Sequence, residues 1–363
     1  MGQDDQEITR WAEKMRDISR KTIIVGALCL LLCTMVSCGK KDPEIVDLYP
    51  VKGSYPNPLS ETEEETGEGA EQRESRERIP AAEQPEDVDI EEEAEEHEEP
   101  EETASAEITK KEVYVTKELE YADFSKVKSG AAILYTNPDP NRGSYVICVN
   151  AGHGSREAAR EKTLCHPDGT PKVTGGSTAA GSTTAVAASG GMAFPDGTGE
   201  GVVTLQQSIV LRDVLLDAGY SVLMIRETED VSLDNIARTV LANKYADCHI
   251  AIHWDSSETD KGAFYCSVPN IESYRKMEPV ASTWQKSHAL GDSIIDGLRE
   301  AGVTIYGNGA VPLDLTQTSY STVASIDLEL GDKASDRSEA MLRKNADGIL
   351  AGLDQYFQIE QSE

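Results

Sequence analysis

The sequence predicts an α/β fold: a three-layer α/β/α domain around a mostly parallel or mixed central sheet, preceded by a disordered acidic linker. Three observations carry that expectation. From about residue 112 onward, short β-branched apolar runs alternate with helix-length segments, and strands alternating with helices build a sheet covered on both faces. Helix ends are marked by their own residues, as where "VTLQQSIVLRDVLLD" stops at Ala218-Gly219, the glycine standing just past the last apolar position. Ahead of this region, residues 61–107 hold 22 Asp and Glu against three Arg. That composition cannot bury enough apolar surface to offset the entropy of ordering.

Taken in order, the chain first shows an export signal. Arg20-Lys21 precede the apolar run "TIIVGALCLLLCTMV" at 22–36, and Ser37-Cys38-Gly39 follow it. A basic start, a short apolar stretch and small residues before a cut are the features of a secretory signal. The run is shorter than the roughly 20 apolar residues that span a membrane. Its end, "MVSC", resembles a bacterial lipobox, which makes Cys38 the expected lipidation site and mature N-terminus. Met15 offers a more usual start for such a signal. The expected organisation is therefore a signal and lipoprotein segment at 1–38, an acidic linker at 39–111 and one folded domain at 112–363.

The formal net charge of −31 sits mostly in the linker, whose like charges keep it extended. A basic footprint for nucleic acid is absent.

Within the folded region "EVYVTKELEY" has β character, and "AAILYTN" (131–137) reads as an edge strand. A strand at 145–150 follows. The Gly/Ser/Thr/Ala segment 155–199 cannot build a core of its own, and reads as a mobile lip or a disordered stretch. Next come a helix at 203–217, a strand at 221–226 and a helix at 232–245 with Ser232 as N-cap. Strands at 248–253 and 263–267, a helix at 283–301, a strand at 324–330 and a helix at 335–357 complete the series. Cys148 and Cys248 fall inside core strands, where a thiol behaves as a small hydrophobe. No metal-finger spacing exists, and no disulfide framework is expected.

In open α/β sheets ligands bind beyond the carboxyl ends of the strands. Three chemistry-bearing residues sit there: His153 in "VNAGHGS", His253 closing "HIAIH", and Glu329 in "IDLELG". Polar groups at such positions are costly unless they bind something. Two histidines from different strands point to a metal, and zinc accepts imidazole and carboxylate readily. His249 shares the strand with His253 but lies about 13 Å from it, too far to share one ion, and reads as a surface or supporting group. His166 and His288 read as exposed, and Arg226 and Arg238 as structural pairs that orient strands and helices.

"VICVNAGHGS", "LLDAGYSVLMIRETEDVSLDNIARTVLANKYADCHIAIHWDSS" and "IDLELG", in this order and spacing, resemble the zinc-dependent N-acetylmuramoyl-L-alanine amidases, which cut bacterial cell wall. The resemblance covers about 145–357. It implies one zinc ion held by His153, Glu200 and His253, and catalysis by Glu329. Glu200 matches the family's glutamate by its place ahead of the first helix, nineteen residues before Gly219. It implies hydrolysis of the amide between N-acetylmuramic acid and L-alanine of peptidoglycan. The lipobox-like end of the signal separately places the domain on the outer face of the cytoplasmic membrane, with the lipid at Cys38 as the membrane anchor. No activating protein is legible in the sequence.

The chain departs from the family pattern in three places. The interval between His153 and Glu200 holds 46 residues, "IHWDSS" replaces the commoner "IHAN", and Asp332-Lys333-Ala334-Ser335 follows "ELG". Two alternatives stay open at this point: a peptidoglycan-binding lipoprotein that keeps the fold without turnover, and a zinc peptidase acting on wall peptides.

Overall fold

The computed structural model describes residues 107–358. The export signal, Cys38 and nearly all of the acidic linker lie outside these residues. Among the described residues no helix is long and apolar enough to cross a membrane.

Eight strands form one mixed sheet, in the spatial order β1 (Thr109–Tyr114), β2 (Ala131–Thr136), β6 (Ser221–Met224), β3 (Val146–Ala151), β7 (Cys248–Asp255), β10 (Ala324–Asp332), β8 (Ala263–Ser267) and β9 (Ile305–Pro312). The central four, β6, β3, β7 and β10, are parallel. β2 runs antiparallel to β6 and β8 antiparallel to β10. A separate two-stranded ribbon pairs β4 (Lys162–Leu164) with β5 (Thr184–Val186).

The central strands are buried on both faces, which is why they read as continuous apolar runs. Ile147 and Val149 of β3 join the larger core cluster, beneath α1 (Glu200–Asp217), α4 (Val280–Glu300) and α6 (Glu339–Phe357). Cys148, pointing the other way, joins Leu223, Ile225, Ala237 and Leu241 beneath α2 (Asn235–Tyr245). Helices thus cover both faces, as the alternation of elements predicts. Two shorter helices, α3 (Glu272–Arg275) and α5 (Thr316–Tyr320), lie in the connections.

Several details differ from expectation. The strand at 131–136 is not the edge, because β1 pairs along its outer side. Only Val113 of β1 is buried, and its exposed Lys110, Lys111 and Glu112 suit an edge strand that must not recruit another chain. α1 begins three residues before the expected start, so Glu200 is its first residue. α2 is capped by Asp234 rather than Ser232, the Asp234 carboxylate accepting from Ala237 N at 2.8 Å. α6 starts after Ser338, which caps it. The glycine-interrupted "IYGNGAVP" gives no period-2 signal, yet forms β9 by pairing with β8.

The largest correction concerns 155–199. This segment folds against the domain instead of standing away from it. Ala158, Ala187 and Ala188 are buried beside Val127, and Phe194 joins the main core. Ala187 O accepts from Asn235 N at the start of α2. The segment has no core of its own, as its composition says, but small residues can lie flat on a neighbour's surface.

Asp314, fully buried, fastens it. Its carboxylate accepts from Lys172 Nζ at 2.9 Å, Val173 N at 2.7 Å, Thr174 N at 3.1 Å, the Thr174 hydroxyl and His166 Nε2 at 3.1 Å. His166 is accordingly 1 % exposed, against the expectation of an exposed side chain. The partner that buries it lies 148 residues away, beyond any local pattern.

Candidate metal centre

The site is assembled where β3, β7 and β10 end and α1 begins. His153 follows β3 by two residues and takes a left-handed backbone conformation, φ 62°, which is uncommon for a residue with a side chain. Two buried arginines hold it there. Arg238 Nη2 donates to His153 O at 2.6 Å and Nη1 to Ala151 O at 3.0 Å. Arg226 donates to Ala151 O at 3.0 Å and Gly152 O at 2.8 Å. Both were expected to orient elements. They do so through backbone carbonyls, which sequence spacing does not reveal. Gly152 is required by close approach: a Cβ there would stand 2.3 Å from the His253 ring, inside van der Waals contact.

The His153 ring is oriented by Ser189 O, 2.9 Å from Nδ1. A carbonyl can only accept, so Nδ1 carries a proton and Nε2 faces inward. Nε2 lies 2.8 Å from Glu200 Oε1 and 3.1 Å from His253 Nδ1, and that Nδ1 is 3.1 Å from the same Oε1. The Glu200 carboxylate is fixed by two backbone donors, Met192 N to Oε2 at 3.0 Å and Trp254 N to Oε1 at 3.2 Å. It also stands at the N-terminus of α1, where the helix dipole favours an anion. Burial alone would raise its pKa. Hydrogen bonds and charge from His153 and His253 outweigh burial and hold the carboxyl well below the ordinary range.

Glu329 is the direct cross-strand partner of His253 in the parallel β10–β7 pair, so the two side chains stand side by side on one face. Burial drives its carboxyl well above the ordinary carboxylate range, with Asp327 and Glu200 adding to the rise and His253 opposing it. All four residues line one cavity of about 700 Å³, whose lining also includes Lys172, Ser177 and Val186 from the 155–199 segment. His249 is fully buried rather than superficial. It sits 3.1 Å from the Asn150 side chain, and burial, with Arg238, lowers its pKa to about 3. It supports β3 and takes no part in the cluster. His288 is half-buried, its Nε2 3.1 Å from Val268 O.

The donor set fits zinc. Two imidazole nitrogens and one carboxylate oxygen lie 2.8–3.1 Å apart, close to the roughly 3.3 Å separating donors that each stand 2.0–2.1 Å from a tetrahedral ion. Three protein ligands also leave the fourth position to water or substrate, the mark of a catalytic rather than a structural zinc site.

A mixed α/β sheet with two imidazoles, a carboxylate and a second, half-buried glutamate at its strand ends has the architecture of a hydrolase centre. A family model described as N-acetylmuramoyl-L-alanine amidase matches residues 147–354. The chain belongs to that family and is an enzyme of peptidoglycan amide hydrolysis.

Solved structures with similarity include the N-acetylmuramyl-L-alanine amidase of Mycobacterium smegmatis, at 18 % identity and TM-score 0.49, the match covering 60 % of this chain and 98 % of that one. The apo form of the Mycobacterium abscessus enzyme matches at 19 % identity and TM-score 0.47, over 59 % and 98 % of the two chains. The enzyme of Clostridium difficile 630 matches at 16 % identity and TM-score 0.43, over 60 % and 98 %. No curated protein matches the chain.

Proposed function

We propose that the chain hydrolyses the amide joining the lactyl group of N-acetylmuramic acid to L-alanine, with one zinc ion held by His153 Nε2, Glu200 Oε1 and His253 Nδ1, and with Glu329 as the catalytic acid and base. The observation that carries this reading is the convergence of those three donor atoms within hydrogen-bond distance of one another, beside the half-buried Glu329, whose Oε2 is fully covered. Zinc in that position supplies Lewis acidity, which activates a water near neutral pH and polarises a scissile carbonyl.

Glu329 takes the proton from the water as its oxygen bonds to the carbonyl carbon. As the C–N bond breaks, the same carboxyl returns the proton to the departing amine of L-alanine. A carboxyl lifted by burial suits both halves of that cycle. Arg226 and Arg238 keep the His153 turn in place, and Ser189 keeps its ring in the tautomer that offers Nε2.

The test is digestion of purified sacculi followed by mass spectrometry. Wild type is expected to release stem peptides with a free L-alanine amine. Glu329→Gln is expected to lose a factor of about 10² to 10⁴ in kcat while retaining zinc. Liberation of single terminal amino acids, with the lactyl–alanine bond left whole, would make the chain a peptidase instead. Zinc-loaded wild type that cleaves nothing would make it a binding protein.

The same reading puts the domain on the outer face of the cytoplasmic membrane, tethered through the acidic linker to a lipid on Cys38. The basic, apolar and cysteine pattern of residues 20–38 supports it. Cys38→Ala is expected to move the protein from the membrane fraction to the soluble one, and unchanged fractionation would discard the anchor.

A further inference from the structure

On the far side of the His253 ring from the three converging donors, a second set of ligand-bearing side chains meets. Asp327 Oδ1 stands 3.8 Å from His253 Nε2, the nitrogen turned away from Glu200. Cys266 of β8 is the direct cross-strand partner of Asp327. Glu329 lies two residues further along β10, on the same face. One ligand atom from each of these residues, the Cys266 thiol sulfur and two carboxylate oxygens, falls within 4.8 Å of the others.

All three residues line the cavity of the first cluster, so an ion has a path to them. Cys266 is 5 % exposed and carries a free thiol. Asp327 Oδ1 and Glu329 Oε2 are buried with no hydrogen-bond partner. Buried carboxylate oxygens are ordinarily satisfied by a donor, a proton or a cation. Asp314 in the same domain shows the satisfied case, with five donors on its carboxylate.

We propose that Cys266, Asp327 and Glu329 form a second divalent-cation site, for an ion of zinc's class, and that filling it withdraws Glu329 from proton transfer. Sulfur together with carboxylate oxygen selects borderline ions such as zinc, cobalt or cadmium. Magnesium and calcium prefer all-oxygen cages. On binding, a sulfur–metal bond forms as the Cys266 S–H proton, together with any proton the two carboxyls share, leaves to solvent, and the dication offsets two of the three negative charges of the thiolate and carboxylates. The ion that supports the reaction at low concentration thereby inhibits it in excess. That consequence rests on the catalytic role proposed for Glu329, whereas the site itself rests only on the three donors.

The test titrates cobalt(II) into the purified, metal-free full chain and reads the spectrum and wall hydrolysis together. The first equivalent is expected to give visible cobalt bands without a sulfur-to-cobalt charge-transfer band, because the first cluster has no thiolate. The second is expected to bring up that near-ultraviolet band while activity falls about 100-fold, as expected when acid–base catalysis is lost.

Cys266→Ser is expected to abolish the second phase and the inhibition, with basal turnover and the first phase intact. Asp327→Asn, which keeps the thiol, is expected to weaken the second equivalent at least tenfold. It decides the matter should Cys266→Ser not fold. Absence of the band at any excess of metal, or its persistence in Cys266→Ser, overturns the proposal and leaves the two carboxylates sharing a proton. Failure of the first phase alone counts against the His153–Glu200–His253 centre and not against this site.

Discussion

The converging donors at His153, Glu200 and His253 and the anchor at Asp314 are both buried polar clusters in one domain, yet their chemistry is opposite. Around Asp314 both carboxylate oxygens meet donors from Lys172, His166, Thr174 and the backbone. At the strand ends, two imidazole nitrogens and a carboxylate oxygen point at one another, with Glu329 and Asp327 oxygens unpartnered beside them. A saturated cluster holds structure together. A cluster of convergent ligand atoms with unsatisfied carboxylate oxygens beside it is arranged to receive something, because a buried acceptor without a donor costs free energy until a proton, cation or substrate arrives.

That contrast can be broken most sharply at the strand ends. His253→Ala removes one of three donors, and both bound zinc and wall hydrolysis are expected to disappear, with the fold retained by circular dichroism. A variant that keeps stoichiometric zinc by elemental analysis would show that the convergence is not a metal centre. Arg238→Lys is a subtler probe. Lysine keeps the charge but cannot hold Ala151 O and His153 O at once. Supporting groups of this kind are worth a factor of about 10 to 100 in metal affinity. That loss, measured by competition with a chelator dye, should exceed any loss in melting temperature.

The anchor should answer to stability rather than to metal. Asp314→Asn leaves Lys172 buried without its charge partner, and breaking a buried pair costs about 3–5 kcal/mol. Expected readouts are a lower Tm and faster proteolysis within 165–174, with zinc still bound. Burial alone would raise the Asp314 carboxyl, but His166, Thr174 and Lys172 outweigh it and hold it well below its usual range. Its stabilisation is therefore present above the unfolded value of about 3.9 and is lost as pH falls below it. Hydrogen exchange in 165–174 should accelerate below about pH 4. Protection unchanged down to pH 3 would remove Asp314 from this role. The smallest effect is expected at the exposed Arg343–Asp347 pair on α6, where Arg343→Ala should shift stability by no more than about 0.5 kcal/mol.

The helix and strand series from 131 onward was legible because apolar periodicity and end signals are local properties. His153, His253 and Glu329 were legible for a related reason: a polar residue closing an apolar strand stands out against its neighbours. Glu200 was not legible in that way. An acidic first residue of a helix is ordinary, and only the family resemblance singled it out. Arg226 and Arg238 were visible as residues but not in their task, since donation to carbonyls of another element leaves no trace in spacing. β9 and the docking of 155–199 were missed because both depend on partners far along the chain.

The sequence alone determined most strands and helices of the central sheet, that more than half of the net acidic charge lies ahead of the folded domain, and which strand ends hold a histidine or a glutamate. Periodicity, composition and capping act over a few residues and need no knowledge of the rest. Only the tertiary structure decided that the β3 turn, the first residue of α1 and the end of β7 bring three donors within about 3 Å, that Asp327 faces the other nitrogen of His253, and that His166 is buried against Asp314. These pairings join residues from 47 positions apart, His153 and Glu200, to 148 apart, His166 and Asp314, and those at the strand ends exist only once the parallel register of β3, β7 and β10 is set by the packing of helices on both faces.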